Sequence, residues 1–119
     1  LVVEDNEINQ SVARLQLNHI GIRNIVVAKD GVAAIEECAR KDFDLILTDL
    51  HMPLMDGFEM ARRLRAFGGY YAAVPIIAIT ADADAAVSDA CKVNGINDVL
   101  LKPITLDNLS AVLKKWLKL

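Results

Sequence analysis

The chain has 119 residues, which fits one domain, and 54% of them are hydrophobic, enough for a core and too many for a disordered tail. Its formal charge of −3 argues against nucleic-acid binding, which wants a basic stripe. No apolar run approaches the roughly 20 residues of a membrane span, so no membrane contact is expected of this segment.

The chain opens on an apolar run at residues 1–3. A strand rarely begins at the first residue of a natural chain, so residues 1–119 read as one domain cut from a longer protein. The immediate turn to acidic residues leaves no signal peptide. Helical spacing covers about Glu7–Ile20, closed by Gly21, and a second run follows at 25–28. A second helix starts after Asp30-Gly31 and ends near Lys41, before a run at 45–47. A third opens at Asp56-Gly57 and reaches Phe67, before a run at 74–79. A fourth lies within 83–93 and stops at Asn94-Gly95, before a run at 99–101. The fifth follows Pro103, with a stripe at Leu106, Leu109, Val112, Leu113, Trp116 and Leu117. The runs are apolar at both alternating positions, as in strands buried on both faces. Strict alternation of strands and helices predicts an α/β fold: a parallel sheet with helices on both faces. Cys38 and Cys91 have no metal-type spacing and read as reduced, buried thiols of a cytosolic domain.

In such sheets ligands bind outside the carboxyl ends of the strands. Glu4 and Asp5 follow the first run, Thr48 and Asp49 the third, Thr80 the fourth, and Lys102 the fifth. Crowded carboxylates hold protons unless a cation joins them. Oxygen ligands without His or Cys suit magnesium, which takes one or two carboxylates and completes its shell with water and phosphate oxygens. An ionised Asp can act as a nucleophile and form an aspartyl phosphate. Phosphoryl transfer then needs charge neutralised on the equatorial oxygens. Magnesium, the Lys102 ammonium and the Thr80 hydroxyl can each take one. Asp49 is the candidate nucleophile, because the strand it ends is expected to be central. Glu4 and Asp5 suit the metal. Singly, each residue has a plainer explanation: Asp5 a helix cap, Thr80 a turn residue, Lys102 a solvated amine. Gathered at one sheet edge, they favour function.

The motifs Leu1-Val2-Val3-Glu4-Asp5-Asn6, Asp44-Leu45-Ile46-Leu47-Thr48-Asp49-Leu50-His51-Met52-Pro53, Met55-Asp56-Gly57, Ile79-Thr80-Ala81 and Lys102-Pro103-Ile104 occur in that order. Together, over essentially the whole chain, they resemble the receiver domain of bacterial two-component signalling. The resemblance implies a flavodoxin-like (CheY-like), doubly wound, five-stranded parallel sheet in order 2-1-3-4-5 with five helices. It implies Asp49 as phosphoacceptor, with magnesium held by the side chains of Asp5 and Asp49, the backbone carbonyl of His51, and Glu4 through water. Thr80 and Ala81 would form the switch, Lys102 would bind the phosphate, and Lys102–Pro103 would be cis.

The stretch Glu4-Asp5-Asn6-Glu7-Ile8-Asn9-Gln10 and the turn Gly95-Ile96-Asn97-Asp98 are similar to receivers fused to hybrid histidine kinases. There the donor is a phosphohistidine of the kinase core, and the next acceptor is often a histidine phosphotransfer domain. A cytoplasmic monomer or weak dimer is expected, beneath a parent that can be an inner-membrane sensor. The domain alone is no conventional enzyme, whereas its parent would be a histidine kinase. One departure is Val99, where many receivers carry an aromatic gate.

Surfaces add further candidates. Val12, Ala13, Leu17 and Ile20 should face the sheet, with Ile8 and Leu15 on the adjoining edge. Ile8 and Leu15, with Pro103 and Ile104, either dock a partner or pack Ile8 and Leu15 against the fifth helix. His51 and Asp82 flank the pocket and either tune the phosphate lifetime or are plain loop residues. The fourth helix, with Val87 as its chief large apolar residue, suits a switch. The alternatives are a free-standing regulator and a magnesium-dependent phosphatase of the haloacid dehalogenase type; a flavin carrier is rejected, and the intact Asp49, Asp5, Thr80 and Lys102 argue against a receiver that only binds partners. The phosphatase wants a second Asp where His51 stands, and the flavin carrier wants a Ser/Thr/Gly loop where Glu4 and Asp5 stand.

Overall fold

Each α-helix of the computed structural model, which describes residues 1–82 and 84–117, begins beside a side-chain oxygen that accepts a first-turn N–H. Asn6 does so for α1 (Glu7–Ile20), Asp30 for α2 (Gly31–Arg40), Asp56 for α3 (Gly57–Phe67) and Asp84 for α4 (Ala85–Val93). Thr105 Oγ1 accepts the Asn108 N–H at the start of α5 (Leu106–Leu117). Such a cap contributes about 1 kcal/mol. Because Asn6 holds the α1 cap, Asp5 is left free of that duty. Gly21 closes α1 in the left-handed region, at φ 112°. Ala83, the first residue allotted to the fourth helix, lies outside the described residues.

The strands are β1 (Val2–Val3), β2 (Val27–Ala28), β3 (Ile46–Asp49), β4 (Ile76–Thr80) and β5 (Asp98–Leu101). They form one parallel sheet in the order β2-β1-β3-β4-β5, as expected. Alternate residues feed opposite cores. Val2, Leu47 and Ile77 meet Leu17 of α1 and Leu109 and Leu113 of α5. Val3, Ile46 and Ile76 meet Cys38 of α2, Met60 and Leu64 of α3, and Cys91 of α4. Both cysteines are buried and free.

Several boundaries shift. Asp49 and Thr80 are the last residues of β3 and β4 rather than the first beyond them, because pairing continues through Asp49–Ile79 and Thr80–Leu101. β5 is an edge strand and is not buried on both faces: Leu101 is 52% exposed. On α1, Ala13 and Leu17 face the sheet and Ile20 is half-buried. Val12, expected with them, is 45% exposed, since it sits four residues after Ile8 and three before Leu15 on the outer stripe. On α5, Leu106 faces solvent.

α4 buries one residue, Cys91, deeper than the half-buried Val87. Its C-terminal end is clipped by Arg65 of α3, which donates to the Gly95 carbonyl (2.8 and 3.0 Å), the Asn97 side chain (2.8 Å) and the Tyr71 carbonyl (3.0 Å). α5 is tied to β5 by Trp116 Nε1, 2.9 Å from Asp98 Oδ2. No helix among the described residues is long and apolar enough to cross a membrane.

Candidate functional site

Asp49 ends the central strand with its side chain just below the surface, 9% exposed. Its local frame is tightly held. The Thr48 hydroxyl donates to the Asp49 carbonyl (2.9 Å), and the His51 N–H donates to Asp49 Oδ1 (3.2 Å). Gly57 opens α3 so close to β3 that a Cβ there would lie 2.5 Å from the Asp49 carbonyl oxygen.

Two loops bring the remaining groups. From the β1–α1 loop come Glu4, buried, and Asp5, exposed. Glu4 Oε2 accepts the Asp5 N–H (3.1 Å). One carboxylate oxygen each from Glu4, Asp5 and Asp49 lie within 4.8 Å of one another. From the end of β5 comes Lys102, its ammonium 3.0 Å from Asp49 Oδ2 and 3.9 Å from Glu4 Oε1. Lys102–Pro103 is cis, as expected. Burial, above all, holds the Glu4 carboxyl above its ordinary value of 4.5. Asn9 opposes that shift, Asp49 adds to it, and Lys102 opposes it more weakly.

Fully ionised, three carboxylates and one ammonium leave two negative charges. A hard dication with oxygen preference matches both that charge and the donor set, so the residues fit magnesium.

The sequence-derived residues divide cleanly. Glu4, Asp5, Asp49 and Lys102 meet at the sheet edge. Thr80 is buried at the end of the neighbouring strand, its Oγ1 accepting the Asp82 N–H (3.2 Å). His51, Ala81 and Asp82 are exposed on the rim. Val99 is half-buried against the α2–α4 core. Ile8 and Leu15 are 74% and 70% exposed, which excludes their packing against α5. Pro103 is exposed and Ile104 half-buried; both line a groove of about 570 Å³ that runs from Val12 and Gln16 to Asp49 and Lys102.

Sequence reasoning gave no role to Thr48, Gln10 or Gln16. Gln10 Nε2 donates to the Glu4 carbonyl (2.6 Å) and Gln16 Nε2 to the Ile104 carbonyl (2.9 Å). All three act on backbone carbonyls, which leave no residue pattern to find.

The family model described as "Response regulator receiver domain" matches residues 1–114. The chain belongs to that family. Among relatives of this receiver, the fission yeast (Schizosaccharomyces pombe) peroxide stress-activated histidine kinase mak1 is 39% identical over 95% of the chain, which spans only 7% of mak1. The rice (Oryza sativa subsp. japonica) two-component response regulator ORR41 is 38% identical over 98% of the chain, which spans 91% of that protein.

Among solved structures, the receiver domain of the sensor histidine kinase PA1611 from Pseudomonas aeruginosa carries a magnesium ion in its active-site cleft. It is 36% identical with a TM-score of 0.89, over 99% of this chain and 95% of that one. The Saccharomyces cerevisiae Ssk1 receiver, crystallised with the histidine phosphotransfer protein Ypd1, is 31% identical with a TM-score of 0.87, over 97% of this chain and 85% of that one. The receiver described here therefore takes part in two-component phosphorelay signalling.

Proposed function

We propose that Asp49 is the phosphoacceptor of this receiver, with magnesium as its cofactor. The observation that carries the reading is the Lys102 ammonium 3.0 Å from Asp49 Oδ2, beside three carboxylate oxygens that fit one dication. Asp5 and Asp49 would hold magnesium with their side chains, His51 with its backbone carbonyl, and Glu4 through water. When bound, magnesium supplies positive charge to the transferring phosphoryl oxygens. An Asp49 carboxylate oxygen attacks phosphorus in line. The phosphorus–nitrogen bond of the donor phosphohistidine breaks, and its electron pair stays on the imidazole. Lys102 turns from the carboxylates to an equatorial oxygen, and the Thr80 hydroxyl donates to another. His51 and Asp82, on the rim, set how a hydrolytic water reaches the acyl phosphate.

The donor and acceptor are a histidine kinase core and a histidine phosphotransfer domain. Their docking surface is the outer stripe of α1, Ile8 and Leu15, continued by Pro103 and Ile104. The kinship with mak1 and PA1611 supports a place inside a hybrid kinase. The near-complete match to ORR41 favours a second reading, a free-standing regulator. With Val99 in place of an aromatic gate, output runs through Thr80, Ala81 and a population shift of α4. The domain would work in the cytoplasm.

The test is intact mass after incubation with acetyl phosphate and magnesium. Wild type is expected to gain one phosphoryl group and Asp49→Asn none. An adduct retained in Asp49→Asn, or absent in wild type with every donor, overturns the assignment.

A further inference from the structure

Asp49 is fixed by the sheet, but its partners reach it on two separate loops, and both loops are clipped to one helix. In the β1–α1 loop, the Glu4 N–H is bound to the Ala28 carbonyl of β2 (3.0 Å), while the Glu4 carbonyl accepts Gln10 Nε2 (2.6 Å). That carbonyl belongs to the peptide joining Glu4 to Asp5, so the Gln10 bond orients both carboxylates at once. In the β5–α5 loop, the Lys102 N–H is bound to the Thr80 carbonyl (2.7 Å), and the Ile104 carbonyl, two residues on, accepts Gln16 Nε2 (2.9 Å). Each arm is therefore held on one side by the sheet and on the other by a glutamine of α1.

We infer that Gln10 and Gln16 are positioning residues that divide the site between them, Gln10 setting the metal carboxylates and Gln16 the arm that carries Lys102. The inference rests on the proposed roles of Asp5, Asp49 and Lys102. Groups that orient metal ligands typically govern metal affinity by about 10- to 100-fold. A misplaced charge-neutralising group slows the chemical step instead.

Gln16 allows a sharp separation of positioning from stability. Its Oε1 is buried with no hydrogen-bond partner among the described residues. Gln16→Met removes the bond to Ile104 and the unmatched acceptor together, so the two effects on folding offset. Methionine also keeps the length and helix preference of glutamine. A purely structural role thus predicts little change in this variant.

The experiment measures magnesium affinity by calorimetry, thermal midpoint, and phosphoryl capture from acetyl phosphate at saturating magnesium. Gln10→Met is expected to weaken magnesium binding about 10-fold while leaving the saturated rate within about two-fold. Gln16→Met is expected to leave magnesium binding within about two-fold while slowing the saturated rate about 10-fold. Where a methionine variant melts early, both properties are measured well below its thermal midpoint, with the same expectation. Variants that lose both properties together, or neither, overturn the inference. A wild type that captures no phosphoryl group defeats the Asp49 assignment and the Gln16 half with it, while calorimetry still decides Gln10.

Discussion

Glu4 is the residue whose surroundings and whose proposed role pull in opposite directions. Burial raises its pKa above the ordinary 4.5, so the folded, metal-free protein binds the Glu4 proton more tightly than the unfolded chain does. By linkage, this contribution to stability is fully present below 4.5 and is lost as pH rises through the raised value. A bound dication reverses the balance, because it needs the ionised carboxylate and displaces the proton. Two outcomes are expected. Magnesium affinity falls as pH drops through the raised value. In chelator at neutral pH, Glu4→Gln is more stable than wild type, and saturating magnesium reverses the order. Denaturant midpoints with chelator and with magnesium measure the second. At this scale Asp49, Asp5 and Lys102 were legible from the rule that sites gather at strand ends. Thr48, Gln10 and Gln16 were not, because nothing in the spacing of an amphipathic helix or an apolar strand shows which polar side chain meets a distant carbonyl.

Helix α4 is held at one end. Arg65 makes its four bonds to the segments that follow α3 and α4, whereas Ala85, Ala86 and Asp89 in the first turns are exposed. A helix anchored this way moves most at its free end, which here lies next to Thr80 and Ala81 in the chain. Amide exchange is therefore expected to be faster in the first half of α4 than in the second, with beryllofluoride binding changing the first half. Arg65→Met should erase the difference and cost about 2 kcal/mol in denaturant unfolding. Uniform exchange along α4 in wild type would contradict the lever. The existence of every strand and α-helix was legible from periodicity, and so were Asp30 and Asp56 as helix starts; the short 3-10 turn at Gly69–Ala72 was not. The α4 anchor was not: Val87 is the larger side chain, but Cys91 occupies the turn that faces the core. Strand ends were misplaced for a related reason, since pairing with a neighbouring strand decides them and apolarity does not.

Across the whole molecule, parallel topology sorts helices α1 and α5 to one face and α2, α3 and α4 to the other. The sheet edge that carries Asp49 thus opens onto α1 on one side and onto the rim loops on the other. Ile8, Val12 and Leu15 form an apolar stripe that no element of the chain covers among the described residues. If this stripe seats the phosphohistidine partner, Leu15→Asp should slow transfer from that partner by about 10-fold or more. The same variant should leave folding and capture from acetyl phosphate unchanged. Equal loss with both donors would place the defect in the site and remove the docking role. The alternation of strands and helices made the class of fold legible, while the strand order came from family resemblance. Exposure of α1 was not decidable from hydrophobicity, because an apolar helix edge looks the same whether a partner protein or a neighbouring helix covers it.

Gly57 has a consequence for how this sequence can vary. A methyl group there would collide with the Asp49 carbonyl at 2.5 Å and the Leu50 Cα at 3.1 Å, both main-chain atoms that no rotamer change can move. Position 57, buried at the start of α3, is therefore closed even to alanine, although a glycine offers the site no side chain. A saturation library selected for phosphoryl capture should return glycine alone at this codon, beside broad tolerance at the solvent-facing Glu36 and Arg63. Any side chain at position 57 would thus be felt first at Asp49, eight positions earlier.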